Sequence, residues 1–203
     1  FDIRPMDGRT AFSVMLGGVK HDFILNMRGE FNVENALAAI AVSLEEGIPL
    51  EAVKRALAKV TVPGRGEEYE SKDGRLHVIV DYAHNGFSFR TILEMARKSW
   101  PDRRIVTVFG TPGGKALNRR KDMGLAAGEL SDFIYLTADD PAKESFDDIC
   151  ADTGSYIRQT GCPFETVEDR REAIRRAVLT AEEGSVIMLL GKGCETAQKT
   201  ARG

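Results

Sequence analysis

Four predicted strands are each followed directly by polar or glycine-rich residues. The clearest case is 78–84, Val-Ile-Val-Asp-Tyr-Ala-His, an apolar strand that ends in a carboxylate, a phenol and an imidazole. Ligands of a parallel α/β sheet bind at the carboxyl ends of its strands. The other turns are 110–115, 139–141 and 191–195. Together they predict a binding edge, although each alone could be an ordinary turn, because turns favour Gly, Pro and Asp.

The charges at this edge indicate a receptor for a zwitterionic amino acid. Arg119 and Arg120 lie at the start of a predicted helix, where the helix dipole favours anions. An arginine can grip a carboxylate through two parallel hydrogen bonds, whereas most charges in such a run face water. An ammonium group would suit the acids of the later turns, which are Asp139, Asp140 and Glu195.

The glycine-rich turns do not form a triphosphate site of their own. A phosphate-binding P-loop needs four residues between its glycines and a hydroxyl residue after the lysine. Here three residues separate Gly110 from Gly114, and Ala116 follows Lys115. The Gly-Lys-Gly at 191–193 is too short for a dinucleotide fingerprint.

Nucleophilic and metal chemistry are not indicated. The three histidines are dispersed along the chain, and the spacing of the residues does not indicate a Ser-His-Asp triad or a zinc site. His84 at a strand end is placed to meet a ligand, whereas His77 within an apolar strand is interpreted as structural. We therefore assign no catalytic residue and no metal ligand.

Composition and charge exclude several classes of protein. The chain has 203 residues, 42% of them hydrophobic, and a net charge of −3, which argues against general nucleic-acid binding. Its three cysteines form no disulfide framework, no apolar run is long enough to span a bilayer, and the first residues do not show a signal-peptide pattern. We expect a cytoplasmic protein with no membrane partner. The absent initiator Met suggests a fragment, and the oligomeric state is left open.

Two domains are predicted, with a Pro-Gly-Arg-Gly linker at 63–66 between them. The segment 1–62 has the alternation of a β-hairpin and then the spacing of an αα-hairpin. The segment 63–203 has apolar runs at 76–80, 105–109, 133–137 and 185–190 that alternate with helical faces. This alternation predicts an α/β fold with a doubly wound, mostly parallel Rossmann-like sheet.

An ordered set of motifs extends over nearly the whole chain. The motifs are Gly-Glu-Phe-Asn-Val-Glu-Asn-Ala-Leu-Ala-Ala at 29–39, Gly-Arg-Gly-Glu at 64–67, Val-Asp-Tyr-Ala-His at 80–84, Arg120 with Met123-Gly124, Thr-Ala-Asp-Asp-Pro at 137–141 and Gly-Lys-Gly-Cys-Glu at 191–195. This set resembles the Mur ligase family.

The resemblance implies an ATP-dependent, Mg²⁺-requiring ligase of peptidoglycan precursor synthesis. Such a ligase adds a third, free amino acid to UDP-N-acetylmuramoyl-L-alanyl-D-glutamate through an acyl phosphate. The segment 1–62 resembles the end of the family's central ATP-binding domain, and 63–203 resembles its amino-acid domain without the last strands and helix. The ATP loop and most Mg²⁺ contacts would lie outside this chain, so the fragment alone is expected to be inactive.

The resemblance also implies roles for individual residues. ATP contacts are implied for Asn32, Asn35 and Arg65 from the central domain, and for Asp81 and His84 from the third domain. Arg120 resembles the family's arginine for the amino acid's carboxylate. The remainder of that pocket is implied to be Asp139, Asp140, Gly191 and Glu195.

Departures from the family pattern bear on specificity. Diaminopimelate-adding members have Asp-Asn-Pro-Arg where this chain has Asp-Asp-Pro-Ala, so Ala142 replaces an arginine that grips a second carboxylate. Lysine or ornithine is therefore expected rather than diaminopimelate, although Lys143 could partly substitute. Cys194 stands where the family usually has His, and its role is open.

Two alternatives are carried forward. One is a related ligase of the superfamily, similar to folylpolyglutamate synthetase or to the subunit that amidates peptidoglycan precursors. The other is a non-catalytic module that binds an amino acid or a nucleotide.

Overall fold

The computed structural model describes residues 1–199. The chain divides into two compact units, and the boundary lies between Val62 and Pro63. Assignment of these units to an ATP-binding domain and an amino-acid domain stays a prediction.

The first unit is a small antiparallel sheet with two helices. The strands β1 (Arg4–Met6), β2 (Arg9–Leu16) and β3 (Val19–Leu25) pair in that order. The helices α1 (Glu30–Glu45) and α2 (Leu50–Leu57) follow. The predicted hairpin and helix pair are present, whereas β1 was not predicted. Apolar residues of β2, β3 and both helices form the core, namely Phe12, Phe23, Leu25, Val33, Ala36, Ile40, Val53 and Leu57.

The second unit is a six-stranded sheet with helices on both faces. Its strands are β4 (Glu67–Glu70), β5 (His77–Asp81), β6 (Ile105–Phe109), β7 (Phe133–Thr137), β8 (Phe164–Val167) and β9 (Val186–Leu190). Its helices are α3 (Gly86–Ser99), α4 (Asn118–Leu130), α5 (Phe146–Thr160) and α6 (Arg170–Thr180). The strand order is β4-β5-β9-β6-β7-β8, with only β4 antiparallel. The predicted doubly wound, mostly parallel α/β fold is confirmed.

Alternate residues of the buried strands point to opposite helical layers. Phe109 of β6 packs against Phe89 of α3, with ring centroids 4.8 Å apart. Its neighbour Val108 belongs to the cluster on the other face, where Ala173 and Ala177 of α6 cover the sheet. Because both faces are covered, the strands read as continuous apolar runs.

The structure corrects the interpretation of 63–66 as a linker. Gly64 is buried, and a Cβ atom there would lie 2.2 Å from the backbone nitrogen of Cys194. Its φ of +66° also favours glycine. The segment leads into β4, an edge strand of sequence Glu-Glu-Tyr-Glu whose exposed charges hid it from an apolar pattern.

Candidate functional site

The four predicted turns meet at one edge of the second unit, because β5, β9, β6 and β7 are neighbours in the sheet. The Gly191 N–H donates to the Asp81 carbonyl at 3.1 Å, which joins the turns after β5 and β9. The Gly113 N–H donates to the Asp140 carbonyl at 2.9 Å, which joins the turns after β6 and β7. Predicted site residues from distant parts of the sequence are thus brought together.

A cluster of three carboxylates surrounds one ammonium at this edge; we call it the Lys192 cluster (Asp139, Asp140, Lys192 and Glu195). The Lys192 Nζ lies 2.8 Å from Asp140 Oδ1, 2.8 Å from Glu195 Oε2 and 3.4 Å from Asp139 Oδ1. The Lys192 side chain is 11% exposed. With more carboxylates than ammonium groups, the cluster attracts a further cation.

The pKa values within the cluster reflect burial and pairing. Burial alone would lower the pKa of Lys192, but hydrogen bonds to Asp140 and Glu195 outweigh it and raise that pKa. Burial raises the pKa of Asp139, with Lys192 opposing. Burial would likewise raise the pKa of Asp140, but hydrogen bonds from Lys192 and the Lys199 N–H lower it overall. Hydrogen bonds from Lys192 and Tyr82 lower the pKa of Glu195.

Asp81 organises the backbone around it. Its Oδ1 accepts the Ala83 N–H at 2.7 Å and its Oδ2 accepts the Gly66 N–H at 2.7 Å. The residue is 7% exposed, and burial raises its pKa although both backbone hydrogen bonds oppose the shift. In this structure both carboxylate oxygens therefore hold the turns that carry Arg65 and His84.

Arg65 and His84 flank the Tyr82 ring. The Arg65 guanidinium lies over this ring, 4.7 Å from its centroid, and the His84 ring centroid is also 4.7 Å from it. The His84 Nδ1 donates to the Tyr82 carbonyl at 2.8 Å. Arg65 belongs to the second unit and not to 1–62, the segment predicted to be part of the central domain, and its role toward a nucleotide stays a prediction.

Arg120 is buried and already grips a carboxylate of its own chain. Its Nη1 and Nη2 donate to Glu144 Oε1 and Oε2 at 2.8 and 2.7 Å. Nη1 also donates to Asp152 at 3.2 Å, and Nη2 donates to the Pro112 carbonyl at 3.1 Å. Only Nε lacks a partner. The bidentate chemistry predicted for Arg120 is therefore present, but with Glu144, and the role toward a bound amino acid stays a prediction.

The two asparagines lie in the first unit, at the start of α1. The Asn32 side chain donates to the Arg28 carbonyl at 2.7 Å, and its oxygen accepts from Asn35 Nδ2 at 3.4 Å. Asn32 is buried and Asn35 is exposed. These contacts fix the local backbone, and the nucleotide roles stay predictions.

Three residues at the edge were given no role from the sequence. Lys192 and Tyr82 lie inside quoted motifs, so their position was a signal that could have been used. Arg170 lies in none of the quoted motifs, so the sequence contained no such signal for it. Its Nη2 donates to the Leu190 carbonyl at 2.6 Å, while its Nη1 is buried without a partner. Burial lowers the pKa of Arg170, and the nearby charges of Asp139 and Glu195 oppose that shift.

Within residues 1–199, no group of three or more His, Cys, Asp or Glu side chains has the arrangement to hold a metal ion. Over the same residues, no helix combines the length and apolar composition that crossing a bilayer requires.

Comparison with known proteins gives consistent matches. The family model described as "Mur ligase, glutamate ligase domain" matches residues 64–193. A UDP-N-acetylmuramoyl-L-alanyl-D-glutamate--2,6-diaminopimelate ligase of Caldanaerobacter subterraneus subsp. tengcongensis is 44% identical over 188 residues, which are 92% of this chain and 38% of that protein. A UDP-N-acetylmuramoyl-L-alanyl-D-glutamate--L-lysine ligase of Enterococcus faecalis is 39% identical over 183 residues, 90% of this chain and 36% of that protein.

Comparison with solved structures also gives matches. That of a UDP-N-acetylmuramoyl-L-alanyl-D-glutamate--2,6-diaminopimelate ligase gives a TM-score of 0.66 at 26% identity, covering 100% of this chain and 41% of that one. The structure of Mycobacterium tuberculosis folylpolyglutamate synthase, complexed with ADP and AMPPCP, gives a TM-score of 0.74 at 23% identity, covering 94% of this chain and 44% of that one. The second likeness shows the fold alone. The chain spans about two fifths of the length of the curated relatives it matches.

Proposed function

The chain belongs to the Mur ligase family, and from this premise we propose that it is the carboxyl-terminal part of an ATP-dependent ligase. This ligase adds the third amino acid to UDP-N-acetylmuramoyl-L-alanyl-D-glutamate. The observation that carries the proposal is the Lys192 cluster at the edge where the turns of four strands meet.

The cluster supports recognition of an ammonium group. Three carboxylates face one lysine, and Arg170 adds a second cation that interacts with Asp139 and Glu195. One negative charge is left over, which an incoming ammonium would neutralise in a partly buried and therefore weakly screened setting. Asp140 is already paired with Lys192, so we assign the ammonium to the cluster rather than to Asp140 alone.

Lysine or ornithine is the proposed substrate in preference to diaminopimelate. A second carboxylate would need a cation near the end of the substrate side chain. Position 142 holds Ala142 where diaminopimelate-adding members of the family are expected to have an arginine. The names of the relatives do not decide between these substrates, since both kinds of ligase match.

ATP contacts are proposed for Arg65 and His84. The exposed guanidinium of Arg65 suits a phosphate or ribose oxygen, and the His84 Nε2 is left for a ligand once Nδ1 is bonded to Tyr82. We give Asp81 an indirect role, because both of its oxygens accept backbone N–H groups. Asn32 and Asn35 stay assigned to the nucleotide by resemblance.

The chemistry divides between this chain and the rest of the proposed ligase. The γ-phosphoryl group of ATP passes to a carboxylate of the muramoyl dipeptide, and the amino group of the third amino acid then displaces phosphate. Mg²⁺, when bound, neutralises phosphate oxygens, and we assign it to no described residue of this chain. The described residues of the second unit bind and orient the amino acid.

The test is the amino-acid KM of the full-length gene product that contains this chain. Arg120→Ala is expected to raise this KM at least about 10-fold, because in the proposed complex the amino acid's carboxylate takes the place of Glu144 on the guanidinium and would lose a charge-assisted bidentate contact. The control Lys121→Ala changes an exposed neighbour in the same helix. An unchanged KM in Arg120→Ala would show that the carboxylate is bound elsewhere. The purified 203-residue chain is expected to show no turnover, and measurable ligation by it would contradict that part.

A further inference from the structure

Tyr82 lies where three segments of the second unit converge. These segments are 64–66, the end of β5 with the turn that follows it, and 191–195. A Cβ atom on Gly193 would lie 3.0 Å from the Tyr82 Cβ, 3.2 Å from its Cδ2 and 2.8 Å from the Gly64 carbonyl oxygen. The φ of Gly193 is +50°. Glycine at 193 therefore lets the third segment close onto the ring.

The Tyr82 hydroxyl fixes one end of the Lys192 cluster. It donates to Glu195 Oε1 at 2.8 Å, across 113 residues of sequence, while Glu195 Oε2 accepts from Lys192 Nζ at 2.8 Å. Each carboxylate oxygen thus has its own donor, and this sets the rotation of the carboxylate. Glu195 is 40% exposed, and without this hydroxyl only Lys192 would hold its carboxylate.

The Tyr82 ring contacts the side chains of Arg65 and His84. The Arg65 guanidinium lies 4.7 Å from the ring centroid, within the range of a cation–π interaction. The planes of the His84 and Tyr82 rings are inclined to each other by 58°. The Arg65 charge also acts on the Asp81 carboxyl, which holds the turn that carries Arg65. The position of the guanidinium therefore depends on the Tyr82 ring and on this short turn.

We propose that Tyr82 is a positioning residue that couples the two halves of the ligand edge, its hydroxyl orienting Glu195 toward the amino acid and its ring orienting Arg65 toward the nucleotide. The inference rests on the proposed function and deepens it. One side chain thereby joins a specificity contact to a nucleotide contact, because its polar and aromatic parts have different partners.

The two parts of Tyr82 can be separated by substitution in the full-length gene product. Tyr82→Phe keeps the ring and removes the hydroxyl, so the KM for the amino acid is expected to rise about 3- to 10-fold while the KM for ATP stays within about twofold. Tyr82→Leu removes the ring as well and is expected to raise both constants. A merely structural role would move the two constants together in both variants.

Tyr135→Phe is the matched control. It also removes one hydroxyl, which lies 2.8 Å from Thr180 Oγ1 at the carboxyl end of α6 and away from the ligand edge. Both KM values are expected to stay unchanged in this variant. The proposal is overturned if Tyr82→Phe leaves both constants at the wild-type value or raises both equally. It is also overturned if Tyr82→Leu spares the KM for ATP.

A measurement without turnover separates this inference from the proposed function. Tyr82→Phe, Glu195→Ala and the double variant are compared by urea unfolding. If the hydroxyl positions Glu195, the double variant loses less stability than the two single losses added together. Additive losses overturn the inference. A wild-type protein that ligates no amino acid would refute the proposed function, and the unfolding cycle would still decide whether Tyr82 positions Glu195.

Discussion

The Glu144 carboxylate is expected to stabilise the second unit by neutralising a buried guanidinium. The Arg120 side chain is only 4% exposed, and two of its nitrogens donate to Glu144. Glu144→Gln keeps the shape and the oxygen that accepts the Gly114 N–H, but it turns an amide nitrogen toward Arg120. Among residues 1–199, Asp152 at 3.2 Å would be the one carboxylate still paired with Arg120. The substitution thus leaves a buried cation half-compensated.

The size of the effect follows from the pKa of Glu144. Hydrogen bonds from Arg120 and from the Gly114 N–H lower this pKa from its ordinary 4.5 to about 2. A change of that size corresponds to at most about 3.4 kcal/mol of folding free energy. A quarter of the side chain, 26%, is exposed to water, so screening reduces the expected value to about 1 to 2 kcal/mol.

The sign of the pH dependence is fixed because the pKa is lower in the folded state. The stabilisation is fully present above the unfolded pKa of 4.5 and is lost as the pH falls toward 2. Urea unfolding can be followed by the fluorescence of Trp100, the only tryptophan in the chain. Glu144→Gln is expected to lower the free energy of unfolding by about 1 to 2 kcal/mol at pH 7, and by less than half as much at pH 3.

Glu172→Gln is the matched control. The pKa of Glu172 is also lowered to about 2, but its partners Arg175 and Arg176 are 61% and 42% exposed. Its loss should leave no buried cation, so the effect on stability should be the smaller of the two. An equal loss in both variants, or a loss in Glu144→Gln that is independent of pH, would refute the reasoning.

Two further predictions concern the ligand edge and use the same unfolding measurement. Gly64→Ala places a Cβ against the Cys194 nitrogen and is expected to cost more than about 2 kcal/mol, whereas Gly66→Ala has a similar φ but open space and should cost about 1 kcal/mol. Equal costs would contradict the close approach. Lys192→Met leaves three carboxylates without their ammonium and is expected to cost about 2 to 4 kcal/mol at pH 7 and less at pH 4, where carboxylates begin to protonate. The exposed control Lys143→Met should change stability by less than about 0.5 kcal/mol, and an equal effect would refute the role of Lys192.

The parallel sheet, and the edge of it where four turns meet, could be predicted from sequence because both leave strong local patterns. Buried parallel strands are continuous apolar runs, and the turn after each must contain small or polar residues. The charged edge strand β4 and the four-residue β8 lack such a run, so pattern reasoning missed them. The buried position of Gly64 depends on the turn at 191–195, far away in sequence, and that dependence leaves no local signal.

Side-chain pairing was the least predictable part of the site. The helix start and the bidentate geometry of a guanidinium indicated that Arg120 would bind a carboxylate. No local pattern indicates that Glu144, 24 residues later, occupies this guanidinium. Likewise, Asp139 and Asp140 were recognised as site residues, but Lys192 was not. Its role appears only when the turn after β9 comes together with the turn after β7 in the folded chain.

The most direct test of the proposed ligase is a competition experiment with the full-length gene product that contains this chain. The protein is incubated with ATP, UDP-N-acetylmuramoyl-L-alanyl-D-glutamate and equal concentrations of lysine, ornithine and meso-diaminopimelate, and the products are identified by mass spectrometry. The expected product is a muramoyl tripeptide that carries lysine or ornithine, formed together with ADP and phosphate. A clear preference for diaminopimelate would show that the proposed substrate is wrong, and the absence of an ATP-dependent tripeptide with any of the three would show that the protein is not this ligase.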